Sequence, residues 1–92
     1  MSDSPEWILE WSQKADRQLR KLEKSVVERL LRKLAWLRQS PDPKDHLKAL
    51  RENRSGQYRL RVQEYRAILE VYEVQGILLV VEVGHRKDIY EG

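Results

Sequence analysis

Gln57–Tyr58–Arg59–Leu60–Arg61–Val62, followed after a two-residue gap by Tyr65–Arg66, is the stretch whose reading decides the fold. Charged and apolar residues alternate through it, and alternate residues of a β-strand share a face. Arg59 and Arg61 therefore point one way, and Tyr58, Leu60 and Val62 point the other. The pattern predicts strands over about 57–63, 66–73 and 77–83, with turns at Gln63–Glu64 and Val74–Gln75–Gly76. Turns this short make antiparallel neighbours. Ile77–Val83 is almost continuously apolar, which suits a central strand.

Upstream of this meander the period changes. Trp7–Ile8–Leu9–Glu10–Trp11 is a short apolar run that reads as a first strand. Ser12 is placed to cap a helix over about 13–22, where Ala15, Leu19 and Leu22 recur at helical spacing. Ser25–Val26–Val27–Glu28 matches a capping box, which predicts a second helix running to about Gln39. Val27, Leu30, Leu31, Leu34 and Leu37 form its apolar stripe. Arg29, Arg32, Lys33, Arg38 and Trp36 lie off that stripe. The prolines of Ser40–Pro41–Asp42–Pro43 end the helix. A short apolar-bearing segment, His46–Leu50, and a loop, Arg51–Gly56, lead to the meander.

The expected fold is α+β: a small antiparallel sheet, made of the N-terminal strand and the three-stranded C-terminal meander, packed against two N-terminal helices. Residues 1–92 are expected to form a single domain. Both helices are expected on one face of the sheet, leaving the opposite, concave face free for a ligand.

Composition narrows the function classes. Apolar residues make up 40% of the chain and charged residues 36%, a globular rather than a disordered balance. A chain this short buries only about 60% of its unfolded surface, so the core is modest. Cysteine is absent, which excludes disulfides and thiolate metal sites. His46 and His85 lack ligand-type spacing, and no metal or cofactor is expected. The start MSDSPEW lacks the basic and apolar regions of a signal peptide, and no apolar run is long enough to span a membrane. A cytoplasmic protein is expected.

The net charge of +3 is a weak sign of an anionic partner, but its distribution is a stronger one. Between Arg51 and Arg66 stand five arginines (51, 54, 59, 61 and 66) against two acids, Glu52 and Glu64. The planar guanidinium fork suits phosphate. Any single one of these arginines reads better as part of a solvated strand face, whereas the cluster reads as an anion site. Val83–Gly84–His85–Arg86, with Tyr90 close behind, adds an imidazole, a further cation and a phenol.

The run from Gly56 to Val62, then Glu64–Tyr65–Arg66, then Val83–Gly84–His85–Arg86 with Tyr90, resembles the RelE toxins of the RelE/ParE superfamily of type II toxin–antitoxin systems. The paired helices, the proline break and Leu47–Lys48–Ala49–Leu50 fit the same family. The resemblance implies a ribosome-dependent endoribonuclease that cuts mRNA in the ribosomal A site. It also implies a RelB-like antitoxin, the ribosome and mRNA as partners. It maps the family's functional residues onto Arg59, Arg61, Arg66, Arg86 and Tyr90, with His85 as a proton-transfer candidate. Relatives carry lysine in the strand where this chain has Arg59 and Arg61; charge is kept, proton-transfer capacity is not.

In such a reaction the 2′-hydroxyl attacks the adjacent phosphorus, a base takes its proton, and an acid protonates the leaving 5′-oxygen. Fixed cations stabilise the charge that builds on the phosphoryl oxygens, a role that falls to Arg61, Arg66 and Arg86. His85 has the right intrinsic pKa, about 6.5, to serve as general acid or base. Its alternative is a strand-end histidine that only bonds backbone. Tyr90 is placed to stack on a base, to assist proton transfer, or merely to cap the sheet edge. Arg51, Arg54, Arg59 and Lys87 are the expected RNA contacts. Two other readings use the same fold: a ParE-like DNA gyrase inhibitor, and a degenerate member that only binds antitoxin or RNA.

Overall fold

The computed structural model describes residues 6–91. Met1–Pro5 and Gly92 lie outside the described residues, and with them most of the stretch read above for a signal peptide. The elements run β1 (Ile8–Trp11), α1 (Gln13–Arg20), α2 (Lys24–Arg38), a 3-10 turn (Pro43–His46), β2 (Lys48–Ala49), a second 3-10 turn (Glu52–Arg54), β3 (Tyr58–Val62), β4 (Tyr65–Tyr72) and β5 (Ile77–His85). The strands form one sheet in the order β1-β5-β4-β3-β2.

The α+β class stands, and the meander β3–β4–β5 is antiparallel as expected. The sheet as a whole is mixed, because β1 pairs parallel with β5, Ile8 against Ile77 through Trp11 against Val80. Parallel pairing needs a long crossover, and everything between β1 and β5 supplies it. The short apolar-bearing segment His46–Leu50 contains a two-residue edge strand, Lys48–Ala49, paired with Arg59 and Tyr58.

β1 ends at Trp11, while β5 continues to His85. The side chains of Ser12, which caps α1, and of Gln18 within it satisfy the edge beyond that point. Ser12 Oγ donates to the Val81 carbonyl (2.9 Å) and accepts from Ala15 N (3.0 Å), so one hydroxyl caps the helix and the strand edge together. Gln18 Oε1 accepts from Val83 N (2.9 Å).

The capping box at Ser25 does not form. α2 begins at Lys24 behind Glu23, and Ser25 lies inside its first turn. Only Lys21, Leu22 and Glu23 separate the helices. The buried stripe is Val26, Leu30, Leu34 and Leu37; Val27 is half-buried and Leu31 is 41% exposed. The doublets Val26–Val27 and Leu30–Leu31 allow two stripes one residue apart, and packing against the sheet selects the first.

The main core joins Ala15, Leu34 and Leu37 to Leu60, Ala67, Leu69, Leu78, Val80 and Val83 on the sheet's helix-facing side. A smaller cluster on the other face holds Leu50, Ile68 and Ile89. A β-bulge sets which residues of β5 reach each face. Ile68 pairs with Glu82 while Leu69 pairs with Val80, so Val81 is the extra residue. Val80 and Val83 can then both face the helices, and Glu82 is turned away from them.

A candidate phosphate-binding face

Cross-strand rows place the candidate residues. Arg61 pairs with Arg66, and Arg66 with Gly84. Arg59 pairs with Ile68, and Ile68 with Glu82. Both rows alternate with the core row Leu60–Ala67–Val83, so Arg59, Arg61 and Arg66 share the face opposite the helices. Their juxtaposition is as the strand period predicts.

That face is not free, however. Residues 86–91 fold back across it. Ile89 packs with Ile68 and Leu50, and it seats on Gly84, where a Cβ would stand 3.2 Å from the Ile89 side chain. Without this segment Ile68 would meet water; burying it draws Ile89 over the sheet. Glu91 then lands between two arginines: Arg59 Nη1 lies 2.8 Å from Oε1 and Arg66 Nε 3.3 Å from Oε2. Arg66 is only 8% exposed, and its Nη1 also donates to the carbonyls of Gln63 and Tyr65 at 3.2 Å each. Arg59 Nε is buried without an acceptor.

The remaining cations divide by environment. Arg54 is held by the buried Glu82 (2.7 Å), the Tyr90 carbonyl (2.8 Å) and Gln57 (2.8 Å), so it props the fold rather than reaching outward. Lys14 approaches the same carboxylate at 3.6 Å. Arg86 pairs with Glu64 at 2.9 Å, both well exposed, a contact worth at most about 1 kcal/mol. Arg51, Arg61 and Lys87 are exposed, and Arg61 has no ion-pair partner among the described residues. Tyr90 is 62% exposed.

His85 is not gathered with the arginines. It belongs to the row Val62–Tyr65–His85, whose side chains take the helix-facing side at the end of the sheet. Its ring meets Tyr65 edge-on at 5.2 Å between centroids. Its Nδ1 accepts from Lys87 N (3.1 Å), which places the proton of the neutral ring on Nε2 and leaves that nitrogen for a substrate. Only the end of the sheet can bring an imidazole on one face near guanidiniums on the other.

Two further regions carry charge. Beside β3, a groove is lined by Lys33, Asp45, His46, Lys48, Arg59 and Arg61. Trp36, 45% exposed as expected for a residue off the stripe, stands next to it with the His46 ring 4.5 Å away and Lys33 over its face at 4.2 Å. On β4, the Tyr72 hydroxyl donates to Glu70, with Gln57 as second donor at 2.9 Å, and this holds the Glu70 carboxyl below its usual range. Among the described residues no group of three or more His, Asp or Glu is arranged to hold a metal ion. No helix there is long and apolar enough to cross a membrane.

Sequence reasoning missed Glu82 and Glu91. Glu82 was legible as the lone acid in an otherwise apolar strand, a position that demands a partner. Glu91 had no local signal, since its partners stand 25 and 32 residues away in the chain.

Residues 9–90 match the family model described as the ParE toxin of the type II toxin–antitoxin system parDE. No curated protein matches the chain. Among solved structures, the RelBE2 toxin–antitoxin complex of Mycobacterium tuberculosis superposes with a TM-score of 0.76 at 22% identity, covering 89% of this chain and 100% of that one. The isolated RelE toxin of E. coli gives 0.72 at 26% identity, over 86% of this chain and 83% of its own. The YoeB/ParE toxin of Agrobacterium tumefaciens gives 0.69 at 15% identity, over 85% and 96%. With its family model matched over nearly the whole chain, this protein belongs to the ParE toxin family of type II toxin–antitoxin systems, within the RelE/ParE superfamily.

Proposed function

We propose that this toxin is an endoribonuclease that cuts mRNA in the ribosomal A site and thereby stops translation. The observation that carries the reading is the cluster of arginines, Arg59, Arg61 and Arg66, on the sheet face away from the helices. Three fixed cations on adjacent strands suit a phosphodiester in the act of gaining charge, where preorganised donors have most effect. The likeness to E. coli RelE supports the same reading.

The RNA supplies its own nucleophile. As the 2′-hydroxyl oxygen bonds to phosphorus, the bond to the 5′-oxygen breaks, and the leaving oxygen needs a proton. Arg61 and Arg66 hold the phosphoryl oxygens, and Arg86 reaches them from the end of β5. His85 stands at the same end of the sheet: as imidazolium its Nε2 gives a proton to the departing oxygen and the ring becomes neutral, while the 2′-hydroxyl proton passes to water. Tyr90, exposed beside this face, stacks on a base. Arg51, Arg59 and Lys87 bind backbone phosphate without sequence preference, which leaves codon choice to the ribosome. Arg54, tied to Glu82 and to the Tyr90 carbonyl, holds the segment that carries Tyr90.

A RelB-like antitoxin is the partner we assign, because the similar M. tuberculosis structure is a toxin–antitoxin complex. The ribosome and mRNA complete the partners, and the cytoplasm is the compartment in which they meet.

A second reading, inhibition of DNA gyrase, is the ParE-like alternative expected from the sequence, and the matched family is described as a ParE toxin. Labelled methionine and thymidine, supplied to cells expressing the chain, separate the two. Nuclease action stops methionine incorporation first; gyrase inhibition stops thymidine incorporation first, and that outcome would remove the nuclease reading.

A further inference from the structure

We infer that the Glu91 carboxylate occupies a phosphate site formed by Arg59 and Arg66, and that an RNA phosphate enters it only by displacing Glu91. What the anion is rests on the function proposed above; that the site exchanges anions does not.

The geometry is that of a ligand rather than of a surface ion pair. The two oxygens of one carboxylate are divided between arginines of two strands, Oε1 to Arg59 at 2.8 Å and Oε2 to Arg66 at 3.3 Å. A phosphate presents pairs of oxygens to guanidinium groups in the same way. The side chains of both arginines are largely buried, 15% and 10% exposed, while Glu91 at 28% is the most open of the three. One carboxylate faces two guanidiniums, so the site keeps an excess positive charge. It also keeps a spare donor, since Arg59 Nε is buried with no acceptor. A carboxylate has two oxygens to offer, and a phosphate group has more.

The way out is marked as well. Glu91 also lines a groove with Lys48, Ala49, Leu50 and Arg51. Its segment is anchored upstream by Ile89 on Gly84 and by the Arg54 contact to the Tyr90 carbonyl. Glu91 can therefore swing away while Ile89 stays seated. Emptying the site would strand two buried cations, which is costly, whereas exchanging one anion for another leaves them compensated. The resting chain thus shields its own phosphate site until a stronger anion arrives, and Lys48 and Arg51 stand along its approach.

The test is binding of an uncleavable 2′-O-methyl RNA trinucleotide, followed by fluorescence anisotropy with the full chain. Glu91→Gln removes the competing charge, and it should bind the trinucleotide about tenfold tighter, the size of one charge-assisted contact. Adding Arg59→Ala should abolish that gain. Equal or weaker binding by a Glu91→Gln protein with a native circular dichroism spectrum would overturn the inference. If Glu91→Gln does not fold, the wild-type chain still decides. On adding the trinucleotide, the carboxylate carbon resonance of Glu91 and the Nε resonances of Arg59 and Arg66 should shift together. Arginine shifts with an unmoved Glu91 would overturn it. Primer extension on ribosomes separates the two levels. Tighter binding by Glu91→Gln without any mRNA cutting removes the nuclease reading and keeps the exchange site. Cutting by both proteins with equal RNA affinity does the reverse.

Discussion

The two faces of the sheet are built from alternate residues of the same strands, yet they differ in almost every physical respect. On the helix side, Leu60, Ala67, Leu69, Leu78, Val80 and Val83 meet Ala15, Leu34 and Leu37 in continuous apolar contact. On the other side, Arg59, Arg61, Arg66 and Glu82 surround a small patch of Ile68, Leu50 and Ile89, with Val81 packed against it. The first face holds the fold together by excluding water. The second stores concentrated positive charge, part of which Glu82 and Glu91 offset. A strand with period-two alternation can carry both tasks because neither face constrains the other's side chains.

Substitutions on each face should therefore fail in different ways. The largest effect is expected on the helix side. Leu34→Ala empties a fully buried position and should cost about 2–5 kcal/mol in urea unfolding, without altering RNA affinity in the fraction that folds. A cost under about 1 kcal/mol would mean that this face is not the core. Arg54→Ala should cost nearly as much, about 3 kcal/mol, because it leaves the Glu82 carboxylate buried with only Lys14 at 3.6 Å. Arg61→Ala should show the opposite profile. Stability should move by no more than about 0.5 kcal/mol, while mRNA cleavage falls by about a hundredfold. Loss of folding in that variant would erase the distinction between the faces.

Two further variants sharpen the picture. His85→Gln should slow cleavage by about a hundredfold while leaving ribosome affinity unchanged. Equal losses in both would make His85 a binding or structural residue. Tyr72→Phe should be mildest, and its effect should depend on pH. The Tyr72 hydroxyl, followed by Gln57, lowers the Glu70 pKa in the folded state. Stability from a lowered carboxylate pKa is present above the unfolded value of about 4.3 and is lost as pH falls through the folded one. Thermal unfolding should thus separate wild type from Tyr72→Phe at pH 7 and bring them together near pH 2. A constant gap across that range would assign the effect to packing.

How much of this was legible depended on distance along the chain. The period-two run 57–62 gave the arginine face directly, and Ser12 announced α1 because a helix cap is a local event. The Ser25 capping box misled because its residue types also fit the first turn of a helix begun two residues earlier. Val26 and Val27 are both apolar, and only the sheet decides which is buried. The parallel pairing of β1 with β5 and the Glu91 contacts join residues far apart in sequence, where no local pattern reports on them. His85 lies two residues beyond the core residue Val83 and so shares its face, but the bulge at Val81 that sets the face of Val83 is invisible in sequence.

The most direct test of the account is primer extension on a defined mRNA, bound to programmed ribosomes or free, with wild-type chain and with Arg61→Ala. Cuts at A-site codons on the ribosome alone, made by wild type and lost in Arg61→Ala, are the predicted result. No cuts with a folded wild-type chain, or cuts that Arg61→Ala makes equally well, would contradict the claim that this arginine face is a nuclease site.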